Sequence, residues 1–235
     1  MGKKVNPLNF RLDITQKHQS NWFSDFSKYS SFLKRDRQIR ILIIWLLKYI
    51  EEHEKKHIFD LHNINIERSC NNKKLIIQIK IVDNIILKQL FDKYFVRYSS
   101  LLYEIKKLNF DCKFFIRFIN ITSSFINPNF ILNLLISKVD KRITFRRSLQ
   151  VVIQEFNKLA NEILINNKSL IKNFGLLIKI SGRIGGSDIA SSLKVKEGII
   201  SLQTLKSNVL YKFEQLNTIF GLIGIKVWVS NTFIN

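Results

Sequence analysis

The chain has 235 residues, of which 38 are Lys or Arg and 18 are Asp or Glu, so its net charge is +20 and its isoelectric point is about 10.0. This charge argues against an ordinary metabolic enzyme, and a content of 46% hydrophobic residues excludes a disordered basic tail. An excess of positive charge on a chain that can fold favours a polyanionic partner, because neutralising phosphates releases condensed counterions. Nucleic acid is the favoured partner. A membrane surface is the weaker alternative, since the cations are spread along the chain rather than gathered in one amphipathic stripe.

The amino-terminal half predicts an α+β unit with the order α-β-β-α-α-β. Its helices follow a 3.6-residue apolar period, and its strands alternate apolar and polar residues. The predicted elements, in chain order, are a helix at Asp36–Lys56, hairpin strands at Ile64–Arg68 and Leu75–Val82, helices at Ile86–Tyr94 and Ser99–Leu108, and a strand at Cys112–Ile121.

A linker is predicted at Thr122–Asn129, where Pro128 restrains the backbone, and a second domain follows it. This gives three predicted segments: a basic extension over 1–35, a first domain over 36–121 and a carboxy-terminal domain over 122–235. The predicted elements of the last domain are helices at Phe130–Arg142 and Phe145–Leu164, with Thr144 as N-cap, and strands at Leu176–Ser181, Ile199–Leu205, Asn208–Phe213 and Leu222–Val229.

Five cations lie within ten residues near the start of the second domain, and Asp140 is the only acid among them. If the helix is continuous across this segment, Lys138, Arg142 and Arg146 are spaced four residues apart and share one helical face. Such a row of cations would follow a phosphate backbone. The alternative is an ordinary solvated helix surface. The five residues are Lys138, Lys141, Arg142, Arg146 and Arg147.

Two further places carry candidate RNA contacts. The glycine-rich segment Gly182–Gly186 lacks the spacing of a nucleotide-binding loop and is expected to be a strand turn, from which Lys179 and Arg183 reach phosphate. The basic amino-terminal extension is expected to become ordered on RNA. Its candidate contacts are Lys3, Lys4, Asn6 and Arg11.

No catalytic, metal or cofactor site is expected. His53 and His57 are four residues apart but lack a third ligand, and Cys70 and Cys112 form no metal-binding pair. The alternative to an RNA-binding structural protein is a free enzyme that acts on RNA or DNA, of nuclease or lyase type.

Several segments together resemble one family, that of small-subunit ribosomal protein three. The resemblance is seen at the amino terminus in MGKKVNPLNFRLDITQ over 1–16. It is seen near the carboxy terminus in TIFGLIGIKVWV over 218–229. Between them, in family order, lie RITFRR over 142–147, SGRIGG over 181–186, EG at 197–198 and LQTL over 202–205.

The resemblance implies a type II KH domain at 36–121 and a separate α/β carboxy-terminal domain, both in the head of the small subunit. It implies binding to the ribosomal RNA of the head and to messenger RNA in the entry channel, where Arg146 and Arg147 match channel-facing arginines. Gln150 stands where bacterial members commonly have Lys, so weaker messenger unwinding is expected. The implied protein neighbours are the tenth and fourteenth small-subunit proteins, with no membrane partner.

The sequence also departs from the family. No glycine occurs near Asp83–Lys88, where the phosphate-clamping GxxG loop of a KH domain belongs, so this domain is expected to serve mainly in packing. The family tends to have Gly where Asn9 and Asp13 stand, and Arg where Ser191 stands. The residues after Gln16 resemble plastid and cyanobacterial members, and because the family-like sequence begins at Met1, the protein is expected to be made where it works. A plastid is the expected location, with a mitochondrion or a bacterial cytoplasm as alternatives.

Overall fold

A computed structural model describes residues 5–54, 63–69, 74–81, 94–108, 112–120, 127–166 and 171–233. The chain divides into two compact units, His18–Thr122 and a second unit formed by Met1–Lys17 with Ser123–Asn235. The structure therefore splits the expected extension at 1–35, because its first part clusters with the carboxy-terminal residues and its second part clusters with 36–122. No helix among the described residues is long and apolar enough to cross a membrane.

The unit of 18–122 contains a four-stranded sheet with the order β1-β2-β3-β4. Strands β2 and β3 are antiparallel, which confirms the pairing expected of the hairpin strands, and β3 and β4 are parallel. The elements are β1 (Ser20–Asn21), α2 (Phe26–Glu54), β2 (Asn63–Arg68), β3 (Lys74–Ile81), α3 (Phe95–Leu108) and β4 (Lys113–Asn120). The expected helix at Ile86–Tyr94 falls almost wholly outside the described residues, as does the loop at Asp83–Lys88.

Helix α2 begins ten residues before the predicted start at Asp36. Sequence periodicity missed its first turns because most of their side chains are exposed and polar, and only Phe32 is buried there. Further along, a buried stripe of α2 packs against the sheet, whose inner face is formed by alternating isoleucines. The stripe consists of Ile39, Ile43, Leu46, Leu47 and Ile50.

A buried charge pair joins α2 to β2. The carboxylate of Asp36 accepts a hydrogen bond from Nη2 of Arg68 at 2.5 Å, and neither side chain is exposed. Its second oxygen accepts from Nε1 of Trp22 at 2.6 Å, and the ring of Phe32 lies under the Arg68 guanidinium at 4.9 Å. These contacts hold residues 18–25 against the helix, so Trp22 serves as an anchor rather than as an exposed stacking surface.

The carboxy-terminal unit packs two helices on one face of an antiparallel sheet with the order β6-β5-β8-β7. A short helix at the amino terminus contacts β7. The elements are α1 (Pro7–Arg11), α4 (Pro128–Asp140), α5 (Phe145–Asn166), β5 (Ile171–Gly182), a 3-10 turn (Ile184–Gly186), β6 (Ser191–Gly198), β7 (Asn208–Thr218) and β8 (Gly221–Phe233).

Two predictions for this unit are wrong. The expected strand at Ile199–Leu205 is a loop, and the strand beside it is β6, which the sequence analysis missed because lysines occupy its outward positions. Gly198 separates the two with φ +67, where an added Cβ would collide with the carbonyl oxygen of Phe174. Asn127 and Pro128, placed in the expected linker, begin α4, because Asn127 caps the backbone N–H of Asn129 and Pro occupies the first helical position.

We expect Asp36→Ala to lower the free energy of unfolding of the 18–122 unit by about 3–5 kcal/mol, because the Arg68 charge would stay buried after losing its carboxylate. Native-state hydrogen exchange of the β2 and β3 amides measures this unit alone. Glu104→Ala, at an exposed acid on α3, is the control. The double variant Asp36→Ala/Arg68→Met should recover part of the loss. Equal effects of Asp36→Ala and Glu104→Ala would contradict the assignment.

Candidate nucleic-acid interface

The cation cluster at 138–147 surrounds a sharp turn between α4 and α5. The backbone N–H of Ile143 donates to the carbonyl of Lys138 at 3.1 Å, and that of Arg142 donates to Val139 at 2.8 Å. These two bonds form a Schellman motif, which places Arg142 in the left-handed region at φ +62. The condition of a continuous helix is therefore not met, and Lys138, Arg142 and Arg146 do not form a row on one helical face.

Lys138 is turned toward α5 rather than displayed on the surface. Its side chain is only 18% exposed, and its Nζ lies 3.6 Å from Oε1 of Glu155. Lys138 thus neutralises an acid of the neighbouring helix, and the structure does not support its expected role as an RNA contact. Lys141, Arg142, Arg146 and Arg147 are all exposed.

Three arginines from two distant segments meet along one groove. Arg142 and Arg146 come from the α4–α5 turn, Arg183 comes from the loop after β5, and the groove volume is about 990 Å³. The floor is apolar and includes Ile189 and Phe220, which are 82% and 49% exposed. The structure thus brings together two segments that the sequence analysis treated separately, although Arg147 and Lys141 lie outside the groove lining.

Arg183 is oriented by contacts within its own loop. Its Nε donates to the carbonyl of Ser187 at 2.8 Å, Nη1 donates to that of Phe220 at 3.4 Å, and Nη2 lies 3.7 Å from the exposed carboxylate of Asp188. Gly185 and Gly186 both have positive φ, and the segment Ile184–Gly186 forms a kinked 3-10 turn after β5. The predicted turn is confirmed.

Arg11 is buried, contrary to its expected exposure to RNA. Its guanidinium makes six hydrogen-bond contacts with protein oxygens and is 0% exposed. Burial lowers the pKa of this guanidinium below its ordinary value. The acceptors are the carbonyls of Pro7, Ser201, Leu202, Thr204 and Ser207 and the hydroxyl of Ser207, at 2.7–3.2 Å. Arg11 therefore fastens the amino-terminal segment to the loop before β7.

The other amino-terminal candidates have mixed outcomes. Asn6 is exposed, and its Oδ1 accepts a hydrogen bond from the backbone N–H of Leu8 at 3.0 Å as the N-cap of α1. Asp13 adopts φ +69, which accounts for the glycine that the family tends to have there. Lys3 and Lys4 lie outside the described residues.

Lys179 lies on the face of the sheet opposite α4 and α5, where it has basic and aromatic neighbours that the sequence analysis did not select. The neighbours in β6 and β8 alternate with residues of the core or packed against it, and this two-residue period is the signal that could have identified them. They are Lys194, Tyr211, Lys226 and Trp228.

Comparison with known proteins gives one consistent result. Residues 135–229 match the family described as ribosomal protein S3, C-terminal domain. Three full-length relatives carry the name small ribosomal subunit protein uS3c. That of Gracilaria tenuistipitata var. liui is 31% identical, with 97% of this chain and 94% of the relative covered. That of Phaseolus vulgaris is 30% identical, with 97% and 99% covered, and that of Guillardia theta is 29% identical, with 98% and 95% covered.

We expect Arg11→Met to destabilise the carboxy-terminal unit by at least about 3 kcal/mol, because hydrogen bonds to a charged donor contribute about 1.5–3 kcal/mol each and several buried carbonyls would lose their partner. The free energy of unfolding in urea measures the loss, and trypsin cleavage at Lys17 measures release of the segment. Lys17→Met, at an exposed cation of the same segment, is the stability control. If Arg11→Met and Lys17→Met had equal free energies of unfolding, the role of Arg11 as the contact that holds the amino-terminal segment would be contradicted.

Proposed function

From the premise that this chain belongs to the plastid-type S3 family of small-subunit ribosomal proteins, we propose that it binds ribosomal RNA in the subunit head and lines the channel through which messenger RNA enters. Its role is that of a structural constituent of the small ribosomal subunit in a plastid. The observation that carries this conclusion is the likeness to uS3c proteins over nearly the full length of both chains. No observation favours the alternative of a free nuclease or lyase.

The charge distribution supports RNA as the main partner. The net charge of +20 is carried by a chain with two apolar cores, so the cations are displayed on folded units. Phosphate contacts by such cations give affinity without sequence readout, which suits a protein that is positioned by the shape of ribosomal RNA.

The channel assignment is supported by the exposure of Arg146 and Arg147 at the start of α5. The amino-terminal end of a helix presents free backbone N–H groups, so an RNA phosphate there meets both arginine forks and helix donors. Arg142 extends this basic surface from the preceding turn. Gln150 is exposed one turn further along, where a lysine would have added a fifth cation, and unwinding of messenger is accordingly proposed to be weaker than in members with Lys.

The domain proposal is a type II KH domain over 36–121, a carboxy-terminal ribosomal-protein domain over 122–235 and an extension over 1–35. The order of α2, β2, β3, α3 and β4, with β3 and β4 parallel, supports the KH assignment. Because the sequence at Asp83–Lys88 lacks the glycines of the clamping loop, we propose that this domain acts mainly in packing within the assembly. The proposed protein neighbours are the tenth and fourteenth small-subunit proteins.

Sedimentation of a plastid lysate through sucrose tests the assembly role. We expect the chain to migrate with the small subunit both at moderate salt and at about 0.5 M salt, because non-specific phosphate contacts alone weaken steeply with salt. A purified basic protein added to the lysate is the control and should leave the subunit in the second gradient. The proposed role is refuted if the chain stays at the top of both gradients.

Reversal of Arg146 and Arg147 to Glu tests the channel role in reconstituted ribosomes. A hydrogen bond to a charged group contributes about 1.5–3 kcal/mol, so we expect translation of messengers with a hairpin at the entry site to fall roughly ten-fold relative to unstructured ones. Lys106→Glu/Lys107→Glu, an adjacent exposed pair on α3, is the matched control. A loss of equal size on both kinds of messenger would contradict the channel assignment.

A further inference from the structure

The sheet of the carboxy-terminal unit has one face buried under α4 and α5, while the opposite face is covered only in part, by α1 and the loop before β7. On β8, the residues Ile223, Ile225, Val227 and Val229 belong to the core, so the residues between them point the other way. Strand register places the outward residues of all four strands in rows across this open face. One row is Lys194, Lys179, Lys226 and Phe213, and the next is Lys196, Leu177, Trp228 and Tyr211.

The first row sets three lysines side by side on adjacent strands. Lys194 pairs with Lys179, and Lys179 pairs with Lys226. Like charges directly opposite each other destabilise a sheet, so such a row needs a counter-anion. The acids of these strands do not supply one, because Glu197 and Glu214 pair with the core residues Leu176 and Ile225 and so lie on the other face. None of the three lysines forms an ion pair with any residue in the described part of the chain.

An aromatic pocket of about 420 Å³ adjoins this row. The rings of Tyr211 and Trp228 have centroids 5.2 Å apart and are tilted by 39°, and Phe10 lines the same pocket. The Tyr211 phenol can donate a hydrogen bond to a bound base, and its partial burial raises its pKa above the ordinary value. Lys226 also lines the pocket and lies 5.5 Å from the centre of the Phe213 ring, which joins the pocket to the lysine row.

We propose that this open sheet face binds a single-stranded segment of RNA, with one unstacked base seated between Phe10 and the Tyr211–Trp228 pair and the adjoining phosphates on Lys226, Lys179 and Lys194. The inference rests on the proposed function, because ribosomal RNA is the RNA that surrounds this chain in the small subunit. It assigns a surface separate from Arg142, Arg146 and Arg183, which lie on the helical side of the same unit.

The chemistry of the face favours RNA over an acidic protein segment. Lysine is a point charge suited to phosphate oxygens, whereas paired carboxylates are best held by arginine forks, and the two lysine-bearing rows contain no arginine. Aromatic rings beside cations on a sheet form the standard platform on which single-stranded bases stack. Duplex RNA has no free base to fill the aromatic pocket, so single strands should bind more tightly.

The test is an anisotropy titration of the full chain with a fluorescein-labelled single-stranded RNA of about twelve nucleotides, and with its duplex, across a range of salt. We expect the single strand to bind more tightly. Lys194→Gln/Lys226→Gln should reduce the slope of log affinity against log salt by roughly 1.4, because each phosphate contact on a single strand contributes roughly 0.7. The matched control is Lys158→Gln/Lys212→Gln, which removes two exposed lysines that lie off this face.

Tyr211→Leu tests the base pocket. It retains apolar bulk but loses the flat ring, so we expect affinity for the single strand to fall roughly five-fold or more with an unchanged salt slope. Tyr103→Leu, at a tyrosine that is 70% exposed on α3, is the control. Thermal unfolding of each variant checks folding, and Lys194→Gln alone, at an exposed position, provides a second lysine variant with an expected slope change of roughly 0.7.

Two results would overturn the inference while leaving the proposed function intact. In the first, the chain sediments with the small subunit, but the sheet-face variants bind RNA like their controls. In the second, lysine-directed cross-linking of assembled subunits joins Lys194 or Lys226 to an acidic segment of a neighbouring protein, which would make the face a protein interface. A chain that does not enter the subunit would instead refute the proposed function.

Discussion

The enclosed guanidinium of Arg11 is the contact on which the open surface of the carboxy-terminal unit depends. It is buried, no carboxylate among the described residues pairs with it, and carbonyl oxygens of the loop Ser201–Ser207 share its donors. An arginine fits this role because its planar head carries five N–H donors in fixed directions, which one side chain of another type could not supply. The loop in turn lines the aromatic pocket through Leu202 and Gln203. Leu202 and Gln203 of this loop also line a second, polar recess, together with Lys194 and Lys196. The resemblance to the family at LQTL over 202–205 thus falls on residues whose backbone carbonyls hold Arg11.

The carboxy-terminal unit presents cations on two sides that differ in chemistry. On the helical side, arginines surround a groove with an apolar floor, and their forks suit phosphates that slide past at a channel wall. On the sheet side, lysines and aromatic rings are fixed by strand register, which suits a stationary RNA segment held through phosphates and a base. The proposed roles at ribosomal RNA and at the path of messenger RNA require both kinds of surface. The two apolar cores, one in each unit, allow this charge to be carried without loss of a folded interior.

The sequence predicted most of the strands and helices because their apolar periods reflect burial directly. It missed the features that depend on contacts between distant residues. In the sequence, Arg11 has the pattern of a surface cation in a basic segment. Its burial depends on carbonyl groups some 190 residues further along the chain, which the sequence alone does not place beside it. Lys138 likewise reads as one of five cations, whereas its pairing with Glu155 depends on how α4 packs against α5. The sequence did predict the break between these helices, but it did not show the left-handed geometry of the turn, because that position is held by Arg142 instead of glycine. The lysines of β6 gave that strand a polar character, so a neighbouring apolar loop was chosen in its place.

An electron-microscopy map of plastid small subunits that contain this chain would decide whether the chain is an RNA-bound part of the small subunit. We expect density for both units in the subunit head, with Arg146 and Arg147 facing the path of incoming messenger and the Lys194–Lys179–Lys226 row against ribosomal RNA. A map in which the chain is absent, or in which both of these basic surfaces face solvent, would contradict an RNA-bound role in the subunit.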